Sequence, residues 1–353
     1  MKRSCHFVKR QLCRIVAPCA AFLALAGMLS GAALAALPGS TLHPAGPVAR
    51  AQLNVFNVAL AVITFIFVVV GSLLLYTIIR FRHRPGDREP AQIEGNTTLE
   101  IIWTAIPVIL LIFIAVPTVM VSFDLHSAAA EHEETLEVRV VGYQWWWSFE
   151  YPDLGIVTAN ELRIPTGTRV NLTLESNDVI HSFWVPRLAG KVDLVPGRVN
   201  TMWIQADEPG VYYGQCAEYC GVSHANMRLR VQAMPPDEFE AWVAARQAGQ
   251  VAEASAHAPL SDRAAAGRDY FVNSACAACH NVDGTAASGT VGPDLTDIGS
   301  RTTIAAGLLE NTPENMAAWL RNPQAVKPGA LMPNLNLDEE TISALVAYLA
   351  SLK

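Results

Sequence analysis

Charge is what this sequence has least of. Only 16% of its 353 residues are Asp, Glu, Lys or Arg, against about 25% in an ordinary soluble domain. That shortfall argues against a disordered or wholly soluble chain. Basic residues are the scarcer sign, 25 against 32 acidic ones, and the formal net charge is −7. No nucleic-acid partner is expected from that balance. A regular disulfide framework is also missing, because the seven cysteines fall into three unlike groups. Cys5, Cys13 and Cys19 lie near the start, Cys216 and Cys220 form C-x3-C, and Cys276 and Cys279 form C-x2-C. Each of the last two groups has a histidine close by, which points to metal or haem chemistry. Hydrophobic residues fill the gap, at 51% of the chain with a mean hydropathy of +0.25. The length allows two or three domains.

Residues 1–36 hold no acid. Lys2, Arg3, Lys9, Arg10 and Arg14 precede or open an apolar stretch that ends in Ala33-Leu34-Ala35-Ala36, the pattern of a secretory signal peptide cut near Ala35 or Ala36. A retained N-terminal anchor is the alternative. Cleavage would remove the first three cysteines and leave a more acidic chain, whose exposed face favours basic partners. Two uncharged runs follow, Val58 to Ile79 and Ile101 to Phe123. Each meets the ~20 residues that a helix needs to cross a bilayer. Pro107 and Pro117 are tolerable there when neighbouring helices satisfy the freed carbonyls, which hints at packing against another subunit. The loop between the runs carries Arg80, Arg82, Arg84 and Arg88, and short Arg-rich loops stay cytoplasmic. A two-pass hairpin over residues 45–125 therefore puts both the N-terminal and C-terminal parts outside, as a signal peptide also requires.

The texture then changes to period two. Leu136, Val138 and Val140 alternate with Glu137 and Arg139, and Val170, Leu172 and Leu174 with Asn171, Thr173 and Glu175, as half-buried strands do. Turn signals such as Pro165-Thr166-Gly167 and Pro209-Gly210 recur at sandwich or barrel intervals. A β domain is expected over residues 130–235. Its chemistry lies in His181-Ser182-Phe183 and in Cys216-Ala217-Glu218-Tyr219-Cys220, followed by His224 and Met227. Thiolate, thioether and imidazole together suit copper. Five such ligands are too many for one blue-copper ion, but two bridging thiolates would employ them all in a dinuclear centre. Zinc is the alternative, although C-x3-C-x3-H-x2-M is unlike common zinc spacings.

With these residues in view, the sequence resembles subunit II of the haem-copper cytochrome c oxidases. The likeness runs over roughly residues 45–245, and Tyr143-Gln144-Trp145-Trp146-Trp147, Pro196-Gly197-Arg198 and Tyr212-Tyr213-Gly214-Gln215-Cys216 add to it. The resemblance implies a cupredoxin fold and a dinuclear CuA centre. It implies that Cys216 and Cys220 bridge the coppers, that His181 and His224 are terminal ligands, and that Met227 is a weak one. It also implies that the Glu218 carbonyl binds copper while its carboxylate reaches a magnesium ion shared with subunit I. Trp145 would be the electron-entry residue, whereas Trp146 and Trp147 are read as core or interface residues. Glu100 resembles the acid at the mouth of a proton pathway, or simply marks a helix start. Quinol oxidase relatives lack the copper-binding cysteines, and nitrous oxide reductase adds a large propeller; neither pattern fits here.

Residues 236–262 read as a linker: a helical stretch over Glu238–Gln247, then an Ala-rich tether. His257 there is read as solvated. From residue 263 to 353 an all-α domain is expected. Cys276-Ala277-Ala278-Cys279-His280 is the c-type haem attachment pattern, two thioethers followed by an iron-binding histidine; a thioredoxin-like redox pair is the alternative. Met332, on a Pro/Gly-rich loop, is the expected sixth ligand, and Met316 is assigned to the core. Gly292-Pro293-Asp294-Leu295 and a terminal helix over Glu339–Leu349 resemble class I cytochromes c, in which a prolyl carbonyl orients the proximal histidine.

The whole is thus a multidomain chain: transmembrane hairpin, cupredoxin β-sandwich and class I cytochrome c domain, similar to subunit II of caa3-type oxidases. The resemblance implies an electron-transfer subunit of a proton-translocating respiratory oxidase in a bacterial inner membrane. Electrons would pass from cytochrome c or another periplasmic donor through haem c and CuA to haem a of subunit I, with subunit III also present. Oxygen reduction belongs to subunit I. The alternatives are a free-standing membrane-anchored copper and haem carrier and a copper-delivery protein.

Overall fold

A computed structural model describes residues 39–86, 89, 92, 95–127, 135–248 and 260–353. The signal peptide expected over residues 1–36 and the Ala-rich part of the expected linker, over 249–259, lie outside the described residues. So do 87–88, 90–91, 93–94 and 128–134.

Two long helices come first, α1 (Pro47–Arg80) and α2 (Thr97–Ser127). Their apolar side chains point outward along most of their length, as a lipid-facing pair requires. Both are longer than the uncharged runs that announce them. The extra first turns of α1 do not lie in the apolar span; they are fastened to the β domain. Ala45 N donates to Arg187 O at 2.7 Å and Ala49 N to Leu188 O at 3.1 Å, and Arg50 pairs with Asp207 at 2.8 Å. Gly46 permits this contact, because a Cβ there would stand 2.2 Å from the Gln205 carbonyl oxygen. At the end of α2, Trp203 Nε1 donates to Leu125 O at 2.9 Å. Both helices are thus tied to one end of the β domain.

That domain is a sandwich of two five-stranded sheets. Its strands are β1 (Thr135–Tyr143), β2 (Trp146–Tyr151), β3 (Ile156–Ala159), β4 (Glu161–Pro165), β5 (Arg169–Ser176), β6 (His181–Trp184), β7 (Val192–Leu194), β8 (Asn200–Ile204), β9 (Gly210–Cys216) and β10 (Arg228–Met234). One sheet has the order β3-β2-β1-β5-β8 and the other β4-β10-β9-β6-β7. The alternation seen in the sequence is realised in β1 and β5, which run parallel in the register Val138↔Leu172 and Val140↔Leu174. These four side chains, with Trp147, Phe149 and Phe183, fill the space between the sheets. Each such burial contributes about 1.5–3 kcal/mol.

Helix α3 (Pro236–Gln247) follows, and the last domain is built from α4 (Asp262–Asn273), α5 (Ala275–Cys279), α6 (Pro313–Arg321), α7 (Pro323–Val326), α8 (Glu339–Ser351) and the short pair β11 (Thr303–Ile304) and β12 (Leu309–Glu310). The chain does not run as one helix from Gly267 into Cys276, because it is broken at Ser274. Its extended backbone ends α4, and its hydroxyl accepts from Cys276 N to start α5, since Ser competes well at a helix start. Helices α4 and α8 cross closely at Gly267, where a Cβ would come 2.0 Å from Ala344 O. Phe271, Met316, Leu345 and Tyr348 form the core.

Candidate copper and haem sites

The two motifs of the β domain meet at one end of the second sheet. Strand β6 carries His181, the end of β9 carries Cys216, and the loop beyond it supplies Cys220, His224 and Met227. Phe183 pairs with Cys216 across β6 and β9, which fixes the two motifs side by side. Cys216 Sγ lies 3.8 Å from Cys220 Sγ and 4.0 Å from His181 Nδ1. Cys220 Sγ lies 3.6 Å from His224 Nδ1 and 3.9 Å from Met227 Sδ. The Glu218 carbonyl oxygen is 3.2 Å from Cys216 Sγ. His181, Cys216 and Cys220 are buried, with ligand atoms within 4.8 Å of one another. Six donors therefore face one small volume, and its two thiols sit between one imidazole on either side.

The electrostatics suit soft metal ions. Cys216 is pulled far below the usual thiol range, first by the hydrogen bond with Cys220, against an opposing push from burial, and Cys220 is pushed up in turn. One proton therefore stays on the pair, held by Cys220 against the Cys216 thiolate, and metallation displaces it. Burial pushes His181 down, but hydrogen bonds with Asp178 and Cys216 outweigh it and the result is upward. Its Nε2 lies 2.8 Å from Asp178 Oδ1, so the ring donates there and turns Nδ1 to Cys216. Asp178 also accepts from Gln144 N at 2.6 Å and Val179 N at 2.6 Å. Gly142 admits the imidazole, because a Cβ there would be 2.8 Å from His181 Cδ2. Neither Asp178 nor Gly142 has a spacing that marks it in the sequence.

Trp145 differs from an exposed indole. It is 8% exposed, with Gly221 on one side and Gly329 of the last domain on another, each at a distance where a Cβ would be 3.0 Å from the ring. Its Nε1 donates to Cys220 O at 3.0 Å, and Gln144 Nε2 donates to the same oxygen at 2.7 Å. Trp146 stacks on Tyr143 at 4.3 Å. Trp147 is fully buried against His181 and Phe183.

In the last domain Cys276, Cys279, His280 and Met332 line one predominantly apolar cavity, and Trp145 and Trp146 line it too. Met316, expected in the core, borders the same cavity while lying 4% exposed in α6. His280 Nδ1 is 2.8 Å from Pro293 O, so it donates there and leaves Nε2 as the acceptor nitrogen. Burial also lowers its pKa, which keeps the ring neutral and able to ligate. Gly292 makes room, since a Cβ there would be 2.6 Å from His280 Cε1. Two thiols, a neutral imidazole and a thioether around an apolar cavity fit a covalently held haem.

Two acids stand apart. Glu218 is half-exposed with Lys191 Nζ at 3.9 Å, and faces away from the sandwich core. Glu100 occupies the exposed first turn of α2, about 40 Å of helix from the β domain at 1.5 Å per residue. The structure does not bring it to either site.

Three regions match family profiles: the transmembrane domain of cytochrome c oxidase subunit II over residues 41–121, its periplasmic domain over 154–234, and cytochrome c over 264–353. Cytochrome c oxidase subunit 2 of Alkalihalophilus pseudofirmus is 42% identical over 319 residues, covering 89% of this chain and 91% of that one. The protein of the same name from Bacillus sp. PS3 is 41% identical over 333 residues with the same coverage. That of Bacillus subtilis is 38% identical, covering 89% and 92%.

Proposed function

This chain belongs to the cytochrome c oxidase subunit II family, and from that membership we propose that it is the electron-receiving subunit of a caa3-type respiratory oxidase. A dinuclear copper centre and a haem c, when bound, supply the one-electron carriers that link a donor to the oxygen-reducing subunit. The observation that carries this reading is the position of Trp145. Its ring lines the cavity of Cys276, Cys279 and His280, and its Nε1 is bonded to the copper loop at Cys220 O. One side chain therefore touches both sites.

The residues divide the work as follows. Cys216 and Cys220 would bridge two coppers, with His181 and His224 as terminal ligands, the Glu218 carbonyl completing the set, and Met227 as a weak ligand. A buried, preformed donor set changes little between oxidation states, which favours electron transfer. Asp178 holds the His181 ring by its far nitrogen, as carboxylates commonly hold metal-binding histidines. Cys276 and Cys279 would form the thioethers to haem, and His280, aligned by Pro293 O, the proximal ligand. Met332 would be the sixth ligand; Met/His ligation raises the potential. The Glu218 carboxylate would share magnesium with subunit I, and Glu100 would stand at the mouth of a proton pathway there.

The partners are the other oxidase subunits, I and III, with cytochrome c or another periplasmic donor. Helices α1 and α2 support a membrane anchor, which would lie in a bacterial inner membrane with both extramembrane domains on the periplasmic side once residues 1–36 are removed. The domains would be 45–125, 130–235 and 263–353, joined by 236–262.

Purification of the tagged chain from its native membrane tests this. Haem a and subunit I are expected to co-purify, and the oxidised preparation is expected to show one unpaired electron shared by two coppers in its paramagnetic resonance spectrum. A chain that emerges without haem a would instead be a free-standing carrier. A mononuclear copper pattern would overturn the ligand assignment.

A further inference from the structure

The cytochrome domain is not merely tethered to the β domain; the two present a matched set of polar partners. Glu161, 3% exposed, stands at the start of β4 with no cation within 4 Å among the described residues. Its carboxylate instead accepts from Thr302 N at 3.0 Å, Thr302 Oγ1 at 2.7 Å, Thr303 N at 2.9 Å and Thr303 Oγ1 at 2.9 Å. A fifth donor, Gln232 Nε2 of β10, comes from the β domain itself, whereas these four belong to the cytochrome domain. Next to them the backbone turns through Ala305, Ala306 and Gly307 with φ of 53°, 62° and 71°, the left-handed region that alanine rarely enters. That turn aims successive carbonyls at bonding partners. Ala306 O accepts from Arg228 N at 3.0 Å, and Gly307 O from Arg230 Nη2 at 3.2 Å.

The other edge of the contact is Lys327-Pro328-Gly329. Lys327 is 3% exposed. Its Nζ donates to Trp145 O at 2.6 Å and to Ala305 O at 3.1 Å. Ser223 Oγ, one residue before His224, donates to Pro328 O at 2.6 Å. Gly329 packs on the Trp145 ring. Burying a lysine costs several kcal/mol unless its donors are satisfied, and one of its two acceptors lies on the other domain.

We infer that Glu161 and Lys327 form a two-point latch that seats the cytochrome domain on the β domain, with Lys327 acting as the positioning residue that holds the haem cavity against Trp145. This rests on the reading of Trp145 as the link between the two sites. A tether alone supplies an effective concentration of roughly millimolar and no fixed orientation. The latch supplies the orientation, so passage between the sites needs no search step.

The test uses the full chain in its assembled oxidase, with Lys327→Met and Glu161→Ala made separately. The two lie on different domains and bond different partners across the contact, so the second serves if the first fails to fold. Hydrogen exchange is followed at amides that donate across the contact, those of Thr302, Thr303 and Arg228. These are expected to be protected in the wild type. Each variant should lose on the order of tenfold of that protection, the equivalent of one satisfied buried bond. Amides of β1, β5 and α8 should not change. Alongside, the rate of haem-to-copper electron transfer should become dependent on solvent viscosity in the variants only. Unprotected cross-domain amides in the wild type, or protection unchanged in both variants, would overturn the latch. Failure of the functional reading looks different: the amides would be protected while no electron passes between the sites in the wild type.

Discussion

Trp145 Nε1 donates a 3.0 Å hydrogen bond to the carbonyl oxygen of Cys220, which makes the ring part of the copper loop as well as a wall of the haem cavity. Trp145→Phe would keep an aromatic side chain but lose this bond and the outer indole atoms that pack on Gly221 and Gly329. Gln144 Nε2 would still hold the same oxygen at 2.7 Å, so the loop should keep its shape. The lost bond is worth about 0.5–1.5 kcal/mol, and the space left by the smaller ring adds to the loss. Copper and haem content should stay at wild-type levels while haem-to-copper transfer, followed after photoreduction, slows. An unchanged rate would remove Trp145 from the path.

Met332 and Met316 both border the haem cavity, yet their surroundings differ. Met316 is packed within α6 and its neighbours, whereas Met332 lies half-buried on an irregular loop at the cavity wall. Met332→Leu should leave the haem covalently attached and abolish the absorption feature of sulfur-ligated ferric haem. Met316→Leu, nearly equal in volume, should cost under about 1.5 kcal/mol and leave that feature in place. The reverse pattern would transfer the assignment to Met316.

Much of this architecture was legible in the sequence because its signals are local. Two apolar runs of bilayer length, the alternation through Val138 and Val140, and the C-x3-C and C-x2-C-H spacings are each contained within a few turns or strands. His181 was legible too, although it lies 35 residues from Cys216, because the phrase around it resembles a known family. What stayed hidden depends on pairs brought together by folding. Asp178 sets the His181 ring and Gly142 admits it, but nothing in either neighbourhood announces the histidine. Lys327 and Glu161 look like ordinary surface charges in sequence, yet both are buried and each bonds a partner on the other domain. Gly329 of the last domain likewise packs on Trp145, so this side chain is not the exposed indole that a role in receiving electrons would suggest.

Gly267 marks the closest approach of α4 and α8. A Cβ there would meet Ala344 O at 2.0 Å and Leu345 N at 3.0 Å, both backbone atoms that cannot step aside. Gly267→Ala normally favours a helix by up to about 1 kcal/mol, but here the crossing must open. Overpacking of this kind costs about 1–3 kcal/mol, and the net change should be a loss. At roughly 4–8 °C per kcal/mol for a domain of this size, the melting of the cytochrome domain, followed by its haem absorbance, should shift down by several degrees. An upward shift would mean that the helices cross elsewhere.

Lys327 also makes the contact between domains sensitive to pH, and the sign can be worked out. Burial pulls its pKa down to about 7 from 10.5; Cys220 opposes this shift and the Arg228 guanidinium adds to it. A neutral amine has two N–H groups, and they match the two acceptors Trp145 O and Ala305 O. When the domains separate, the amine returns to water and its ordinary value. Between about pH 7 and pH 10.5 the separated form therefore binds more protons than the docked form, so docking strengthens as pH rises through that window. Below pH 7 both forms are protonated and the contribution is lost. Cross-domain protection at Thr302 and Thr303, corrected for the intrinsic exchange rate, should accordingly grow from pH 7 to pH 9 in the wild type. Lys327→Met removes the titrating group and should flatten the profile. Protection that falls with rising pH in the wild type would show that the ammonium form, not the amine, holds Trp145.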